Sequence, residues 1–188
     1  MTTEPIRDKK QLQEIAAYWL KLGNIRNHVL IILGVCTTLR IGDLLRLCWD
    51  DVYDKGSGRF LSHITVTEQK TGKTKMIALN MQAVRALEML YPHRRGDYIF
   101  AGNRKDGRPI GRVQAWRIVK VAVLEVKVDG IISCHSLRKT AGYHLWKSGT
   151  LPALLMDLFN HSSYEVTKRY LGITQDERDA AYRGLELF

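Results

Sequence analysis

Four short segments carry side chains that handle protons or phosphates in places where apolar residues would serve folding alone. Arg40 stands in TTLRIGDLLRLCWDD, directly after a strongly apolar stretch; on its own it reads as an arginine at a helix end, paired with Asp43. Lys70 lies in VTEQKTGKTKM with Lys73 and Lys75. Ammonium groups at such a turn are either plainly solvated or a way of delivering charge into a bound phosphate. In SCHSLRKTAGYHLWKSG, His135 and Arg138 are three residues apart, so a helix puts them on one face. Leu137, Ala141, Leu145 and Trp146 already supply the apolar face, and a histidine and an arginine converging on one spot make an oxyanion site. In LLMDLFNHSSYEVTKRYLGIT, His161 closes one segment and Tyr170 follows about two helical turns into the next. Alone, Tyr170 reads as a half-buried aromatic beside Val166 and Leu171. His135 and His161 come with arginines in place of further ligands, so a metal centre is not expected.

The elements that must position these groups are legible from periodicity and punctuation. Asp8 opens a D-x-x-Q start signal, and Leu12, Ile15, Ala16, Trp19 and Leu20 follow at helical spacing until Gly23. Asn24 caps a second, apolar helix through Val35; 37–40 interrupts it, and Gly42–Leu47 gives a further turn or two. Asp50–Tyr53, Arg59–Gln69 and Lys73–Leu79 carry β-branched and alternating residues around KGSG and KTGK, which predicts a small three-stranded antiparallel sheet. Asn80 caps a helix through Tyr91, stopped by Pro92. Helices are then expected over 112–126, 136–148, 152–159, 163–171 and 175–186. The order predicts a mostly helical α+β domain spanning 1–188, with no internal repeat or linker.

Composition bounds the function. With 188 residues, 45% hydrophobic and 26% charged, the chain is ordinary globular material. No apolar run reaches the ~18 residues of a membrane span, and the opening MTTEPIRDKK lacks the apolar stretch of a signal peptide. Cys36, Cys48 and Cys134 form no CxxC pair and read as buried thiols in a reducing cytoplasm. The net charge of +10 points either to a polyanion partner or to a solvated basic surface.

Taken together, TTLRIGDLL, EQKTGKTK, HSLRKTAG, FNHSS and TKRYLGI resemble, in order, the motifs of the tyrosine recombinase (phage integrase) family. The resemblance implies a tyrosine recombinase catalytic-domain fold and a catalytic set of Arg40, Lys70, His135, Arg138, His161 and Tyr170, with Asp43 supporting Arg40 or His135. Tyr170 would be the nucleophile, with Tyr164 a poorer rival. His135 would accept its proton, Lys70 would be the general acid, and the arginines would bind the phosphoryl oxygens. It implies no cofactor, since a phosphotyrosine conserves the bond energy without ATP or metal. The chain departs from the family at Phe159-Asn160, where Leu-Gly is usual; Asn is the next best residue for a left-handed cap.

The implied partner is double-stranded DNA, bound as a homo-tetramer with possible directionality factors, in the cytoplasm on the nucleoid. Phosphate contacts are expected from Lys73, Lys75, Arg104, Lys105 and Arg108, and base-edge contacts from Arg112, Gln114 and Arg117. Only about 39 residues precede Arg40, so an N-terminal core-binding domain is expected to be absent, in a fragment or a minimal member. The tail over 173–188 has an apolar stripe of Ile173, Ala180, Ala181, Leu185 and Phe188 that could dock in cis or in trans. A silent DNA-binding relative, a type IB topoisomerase and a plain basic regulator remain as rivals.

Overall fold

The computed structural model describes residues 2–103, 106–173 and 175–185. Helix α1 (Lys9–Lys21) starts where the Asp8 carboxylate accepts from the Lys10 N–H at 2.7 Å, and ends before Gly23. Asn24 caps α2 (Ile25–Cys36), the most central helix, which packs against α1 on one side and against the later helices α4 (Met81–Leu90) and α6 (Cys134–Lys147) on others. A single turn, α3 (Ile41–Leu44), follows the 37–40 break.

The β region differs from the expected three-stranded sheet. It forms two separate antiparallel hairpins, β1 (Tyr53–Asp54) with β2 (Arg59–Phe60), and β3 (His63–Thr67) with β4 (Thr74–Ala78). The 50–53 segment, read as strand, is mostly a 3-10 turn over Trp49–Asp51, because Asp51 caps the Cys48 N–H at 2.8 Å. Only the second hairpin is long enough to present a face. Ile64 and Val66 point inward, and the register sets Val66 opposite Lys75.

Helix α5 (Arg112–Val126) then leads to α6, followed by α7 (Pro152–Phe159), α8 (Tyr164–Leu171) and α9 (Gln175–Arg183). The main core gathers Leu30, Leu33, Leu44, Trp49, Ile64, Leu87, Phe100 and Ile118; Ile15, Ile31, Val123 and Leu137 form a second cluster, and Leu155, Phe159 and Leu171 a third. Two glycines bring the helices that matter together. A Cβ on Gly34 of α2 would lie 2.6 Å from Leu137 of α6, and one on Gly142 of α6 would lie 3.0 Å from both Phe159 and Leu171. Thus α6 is pressed between the helix before Arg40 and the pair that carries Tyr170.

The three cysteines are free and half-buried rather than buried. In the tail, Ile173 packs against the third cluster, but Ala180, Ala181, Tyr182 and Leu185 are exposed, and Phe188 lies outside the described residues. Helix α9 is tied to the body by Glu177, whose carboxylate is 3.2 Å from the Lys147 ammonium. Among the described residues no helix is long and apolar enough to cross a membrane.

Candidate active site

Arg40 is the residue before α3. The chain reaches it through Thr37, whose hydroxyl donates to the Leu33 carbonyl at 2.6 Å, and Thr38, which sits at φ 54°, a left-handed conformation unfavourable for a β-branched residue. That turn reverses the Thr38 carbonyl onto Arg138, whose Nη1 donates to it at 2.6 Å. Arg138 is 2% exposed and has its other nitrogens engaged as well: Nη2 donates to the Phe159 carbonyl at 3.0 Å, and Nε to the Tyr170 hydroxyl at 3.1 Å. One guanidinium therefore joins the end of α2, the end of α7 and the phenol on α8.

Between the two arginines lies Glu68, which the sequence reading did not single out. Its carboxylate is fully buried, 2.7 Å from Arg40 Nη1, 3.6 Å from Arg138 Nη1 and 3.8 Å from Lys75 Nζ, and it accepts from the Thr71 hydroxyl at 2.8 Å. Burial alone would raise the Glu68 carboxyl; the Arg40 guanidinium, the Thr71 hydroxyl and the Lys75 charge outweigh it and hold the pKa down at about 2. The signal was available in the sequence. Ile64 and Val66 alternate along β3 and Glu68 continues the alternation one residue past its end, so the inward face ends in a carboxylate.

Asp43 does not hold the Arg40 guanidinium. Its carboxylate accepts from Arg46 Nη2 at 3.0 Å and from the Gln69 N–H at 3.1 Å, so it anchors the start of the hairpin turn to α3. Lys70 sits at the exposed tip of that turn, with no hydrogen bond or ion pair among the described residues. The other two lysines strap the hairpin to the end of α7: Lys73 Nζ donates to Asn160 Oδ1 at 2.8 Å, and Lys75 Nζ to the Leu158 carbonyl at 2.7 Å. Lys75 faces inward because its register partner Val66 does. Its pKa is lowered, by burial first and by the Arg138 and Arg40 charges against the opposing pull of Glu68.

The aromatic side of the site is built by α6, α7 and α8. Asn160 ends α7 at φ 53°, the left-handed cap anticipated at the Phe159-Asn160 departure, and the chain turns there to present His161. His161 Nδ1 lies 3.0 Å from the Oγ1 of buried Thr167, whose own hydroxyl donates to the Ser163 carbonyl; Thr167, also not singled out beforehand, thereby fixes the ring and leaves Nε2 as its free nitrogen. The Tyr170 ring meets His161 edge-on at 4.8 Å between centroids, His135 at 5.3 Å and Phe159 at 5.0 Å. Lys139, buried and bonded to the Thr3 carbonyl, stands 5.4 Å from the same ring. Tyr164 lies at the first turn of α8, exposed.

Electrostatics follow from this crowding. Burial raises the Tyr170 phenol, the Arg138 and Arg40 charges pull it back, and the balance leaves it at about 12. His135, at the second position of α6, is pushed down to about 4 by lost hydration and then by Lys139, Arg138 and Arg40. His161 is lowered for the same reasons, burial first and then Arg138, Arg40 and Lys75. The shifts favour the neutral form of both imidazoles, which stand beside a phenol that needs a proton acceptor. Arg40 retains Nε and Nη2 without a protein partner among the described residues, so its outer edge is open to an anion.

The other expected DNA-contacting residues have no contact with Tyr170 among the described residues. Arg104 and Lys105 fall outside the described residues. Arg108 is exposed, with its guanidinium 3.6 Å from Asp106. Arg112, Gln114 and Arg117 are exposed on the first turns of α5, and the Arg112 guanidinium lies over Gly42, two residues from Arg40. No group of three or more His, Cys, Asp or Glu side chains is arranged to hold a metal ion among the described residues.

Comparison with known proteins agrees with this arrangement. The model of the phage integrase family matches residues 7–177. The chain is 36% identical over 181 residues to the probable integrase/recombinase YoeC of Bacillus subtilis, covering 96% of this chain and 95% of YoeC. It is 30% identical over 152 residues to the type 1 fimbriae regulatory protein FimE of Escherichia coli K12, covering 77% and 73%. Against the tyrosine recombinase XerD of Halalkalibacterium halodurans it is 24% identical, covering 85% of this chain but about half, 53%, of XerD. Among solved structures, the XerA recombinase superposes with a TM-score of 0.78 at 18% identity over all of this chain and 68% of XerA, which shows the same fold. A fold, five ordered motifs and a family match over most of the length converge on one assignment: the chain is a member of the phage integrase family of tyrosine recombinases.

Proposed function

We propose that the chain cleaves and rejoins double-stranded DNA at a specific site through a 3′-phosphotyrosyl intermediate on Tyr170. The observation that carries this reading is the 3.1 Å hydrogen bond from Arg138 Nε to the Tyr170 hydroxyl, with two neutral imidazoles against the same ring. A nucleophile resting on a guanidinium is already beside the group that must hold the phosphate. When the scissile phosphate enters, its oxygens take the open edge of Arg40 and, as the Tyr170 hydroxyl turns from Arg138 toward phosphorus, the Nε–H that it releases. Tyr170 Oη then bonds to phosphorus as the bond to the 5′-oxygen breaks. The phenolic proton passes to His135, and Lys70 gives a proton to the leaving 5′-oxygen. The bond count is unchanged, so a second strand's 5′-hydroxyl reverses the step on a new partner and no ATP is required.

The oxygens of the transition state carry extra negative charge. Fixed guanidinium donors stabilise it at no cost in reorganisation. Glu68 keeps both arginines pointed at this spot, and Asp43 holds the hairpin start that brings Lys70 near. The exposed Tyr182 and Leu185 of the tail support docking on a neighbouring copy in a tetramer. A tail deletion is expected to leave cleavage intact and abolish strand exchange; loss of cleavage itself would place the tail in cis.

The test is covalent trapping. Wild-type and Tyr170→Phe proteins are mixed with nicked duplexes tiling the DNA beside the gene and run on a denaturing gel. The expected result is an adduct with wild type alone and equal DNA binding by both. Binding by both with no adduct from either would instead favour a silent DNA-binding relative.

A further inference from the structure

A second concentration of positive charge lies at the far end of α2 from Arg40. Arg26, in the first turn of α2, donates from Nη1 to the Ala101 carbonyl at 2.8 Å and from Nη2 to Asn27 Oδ1 at 3.4 Å, while its Nε is buried with no hydrogen-bond partner. Two adjoining clefts, of about 430 Å³ and 570 Å³, share Arg26 and Asn103 as walls. The first is completed by His93, Arg94 and Arg95, the second by Arg108 and Gln114, and no aspartate or glutamate lines either one among the described residues. Arg94 is held over the Tyr91 ring at 4.1 Å, and Arg95 Nη1 reaches Asn103 Oδ1 at 3.4 Å. Burial and the Arg95 charge both lower the Arg26 pKa. Arg108 is paired with Asp106, but half-buried Arg26 and exposed Arg94 and Arg95 have no carboxylate partner among the described residues, which leaves a charge that an anion would balance, with forked donors that suit phosphate oxygens.

The position of the clefts selects the source of that phosphate. Arg26 and Cys36 are ten residues apart on α2, about 15 Å along its axis, and Arg40 follows just beyond. Gln114 lines the second cleft; two residues earlier, Arg112 packs over Gly42 beside Arg40. The first turn of α5 thus joins the clefts to the active site. The geometry points to a second anchor for the DNA backbone, in which Arg26, Arg94, Arg95 and Asn103 grip a phosphate of the same duplex several base pairs from the one cut at Tyr170. This inference rests on the reading that the chain cleaves duplex DNA. It adds a flanking grip that sets register without touching the reaction.

The experiment measures binding of the whole chain to a random-sequence duplex of about 30 base pairs by fluorescence anisotropy across a salt series, with adduct trapping run in parallel. Arg94→Gln/Arg95→Gln is expected to weaken binding on the order of tenfold near 0.1 M salt and to reduce the slope of log affinity against log salt by about one, since a lost phosphate contact removes ~0.9. Arg95→Lys, which keeps the charge, should retain the slope. Lys10→Gln/Lys21→Gln, which removes two exposed cations of α1 outside the clefts, should also retain it. A wild-type slope in the double variant, with the Tyr170 adduct still formed by wild type, overturns the anchor and leaves the cleavage reading standing. An equal loss in the α1 control reduces the effect to overall charge and also overturns it. A wild-type chain that neither binds duplex nor forms an adduct overturns the parent reading and the anchor with it.

Discussion

The guanidinium of Arg138 and the ammonium of Lys70 are held in opposite ways. Arg138 is 2% exposed, with three of its nitrogens bonded to three different parts of the chain before any DNA arrives. Lys70 stands exposed at a hairpin tip with no partner among the described residues, although Lys75 of the same hairpin is drawn inward to Glu68 and the Leu158 carbonyl. The contrast matches what the proposed function asks of each group. Donors that stabilise developing charge gain most from being fixed in advance, because no reorganisation is then needed. A general acid must reach one leaving oxygen at one moment, and a side chain on an exposed turn is free to move to it. Residues of the fixed region should therefore couple rate to stability, and Lys70 should affect rate alone.

The largest departure is expected from Arg138→Ala. Removing a preorganised donor lowers cleavage by about 10²–10³-fold. It also leaves the Thr38 and Phe159 carbonyls without their donor and Glu68 with one cation fewer, so stability should fall by about 3 kcal/mol, or roughly 6–12 °C in Tm for a chain of this size. Single-turnover cleavage and thermal unfolding measured on one preparation test both parts; a large rate loss with unchanged Tm would break the link between the two regions' order and their roles. Next comes Lys70→Ala, expected to slow cleavage on the order of 10²-fold with no change in Tm. A substrate with a 5′-bridging sulfur, whose leaving thiolate needs no acid, should restore the rate. If that substrate rescues Lys75→Ala instead, the acid is the inward lysine with the lowered pKa, and the contrast reverses.

Sequence reasoning located the side chains that cluster more fully than the scaffolding around them. Arg40 and Tyr170 read alone as a helix-end arginine and a half-buried aromatic, and it is the order of five motifs, TTLRIGDLL to TKRYLGI, that singles them out with Arg138 and His161; the structure brings these four side chains to one place. The helix starts were legible because Asp8, Asn24 and Asn80 cap where periodicity begins. Glu68 belongs to none of the positions that the motifs mark; only continuing the alternation of Ile64 and Val66 by one more step turns it inward. The resemblance implied that Asp43 supports Arg40 or His135, but α3 is a single turn, and its geometry directs that carboxylate to Arg46 and the Gln69 N–H. The three-stranded sheet failed for a local reason: Asp51 caps a 3-10 turn that uses up the residues the extra pairing would need.

Glu68→Gln sharpens the comparison from the side of the scaffold. It keeps the shape and removes the charge that orients both arginines, so cleavage should fall about tenfold, less than for either direct participant. Its signature is in the pH dependence of stability. The folded-state pKa of about 2 is below the ordinary carboxyl value of 4.5, so this group's contribution is fully present above pH 4.5 and is lost as pH falls toward 2. Urea titrations between pH 6 and 2.5 should show the wild type losing more stability on acidification than Glu68→Gln does. Parallel losses would mean that the carboxylate is not held by the arginines in the native chain.

The smallest effect is expected where the fixed region pays for its own geometry. Thr38 adopts φ 54° so that its carbonyl can turn onto Arg138 Nη1. The left-handed conformation costs an ordinary residue about 1–2 kcal/mol, and a β-branched one resists it most. Thr38→Gly removes that strain but adds freedom to the unfolded chain worth about 0.5–1 kcal/mol. The net gain is about 0.5–1 kcal/mol, or roughly 1–4 °C in Tm. Because the carbonyl is a backbone group, the bond to Arg138 survives the substitution and cleavage should be unchanged. Thr38→Val keeps the branch and should gain nothing. A Tm that falls with Gly would mean that the turn is held by contacts of the Thr38 side chain, and that the position of Arg138 depends on them as well.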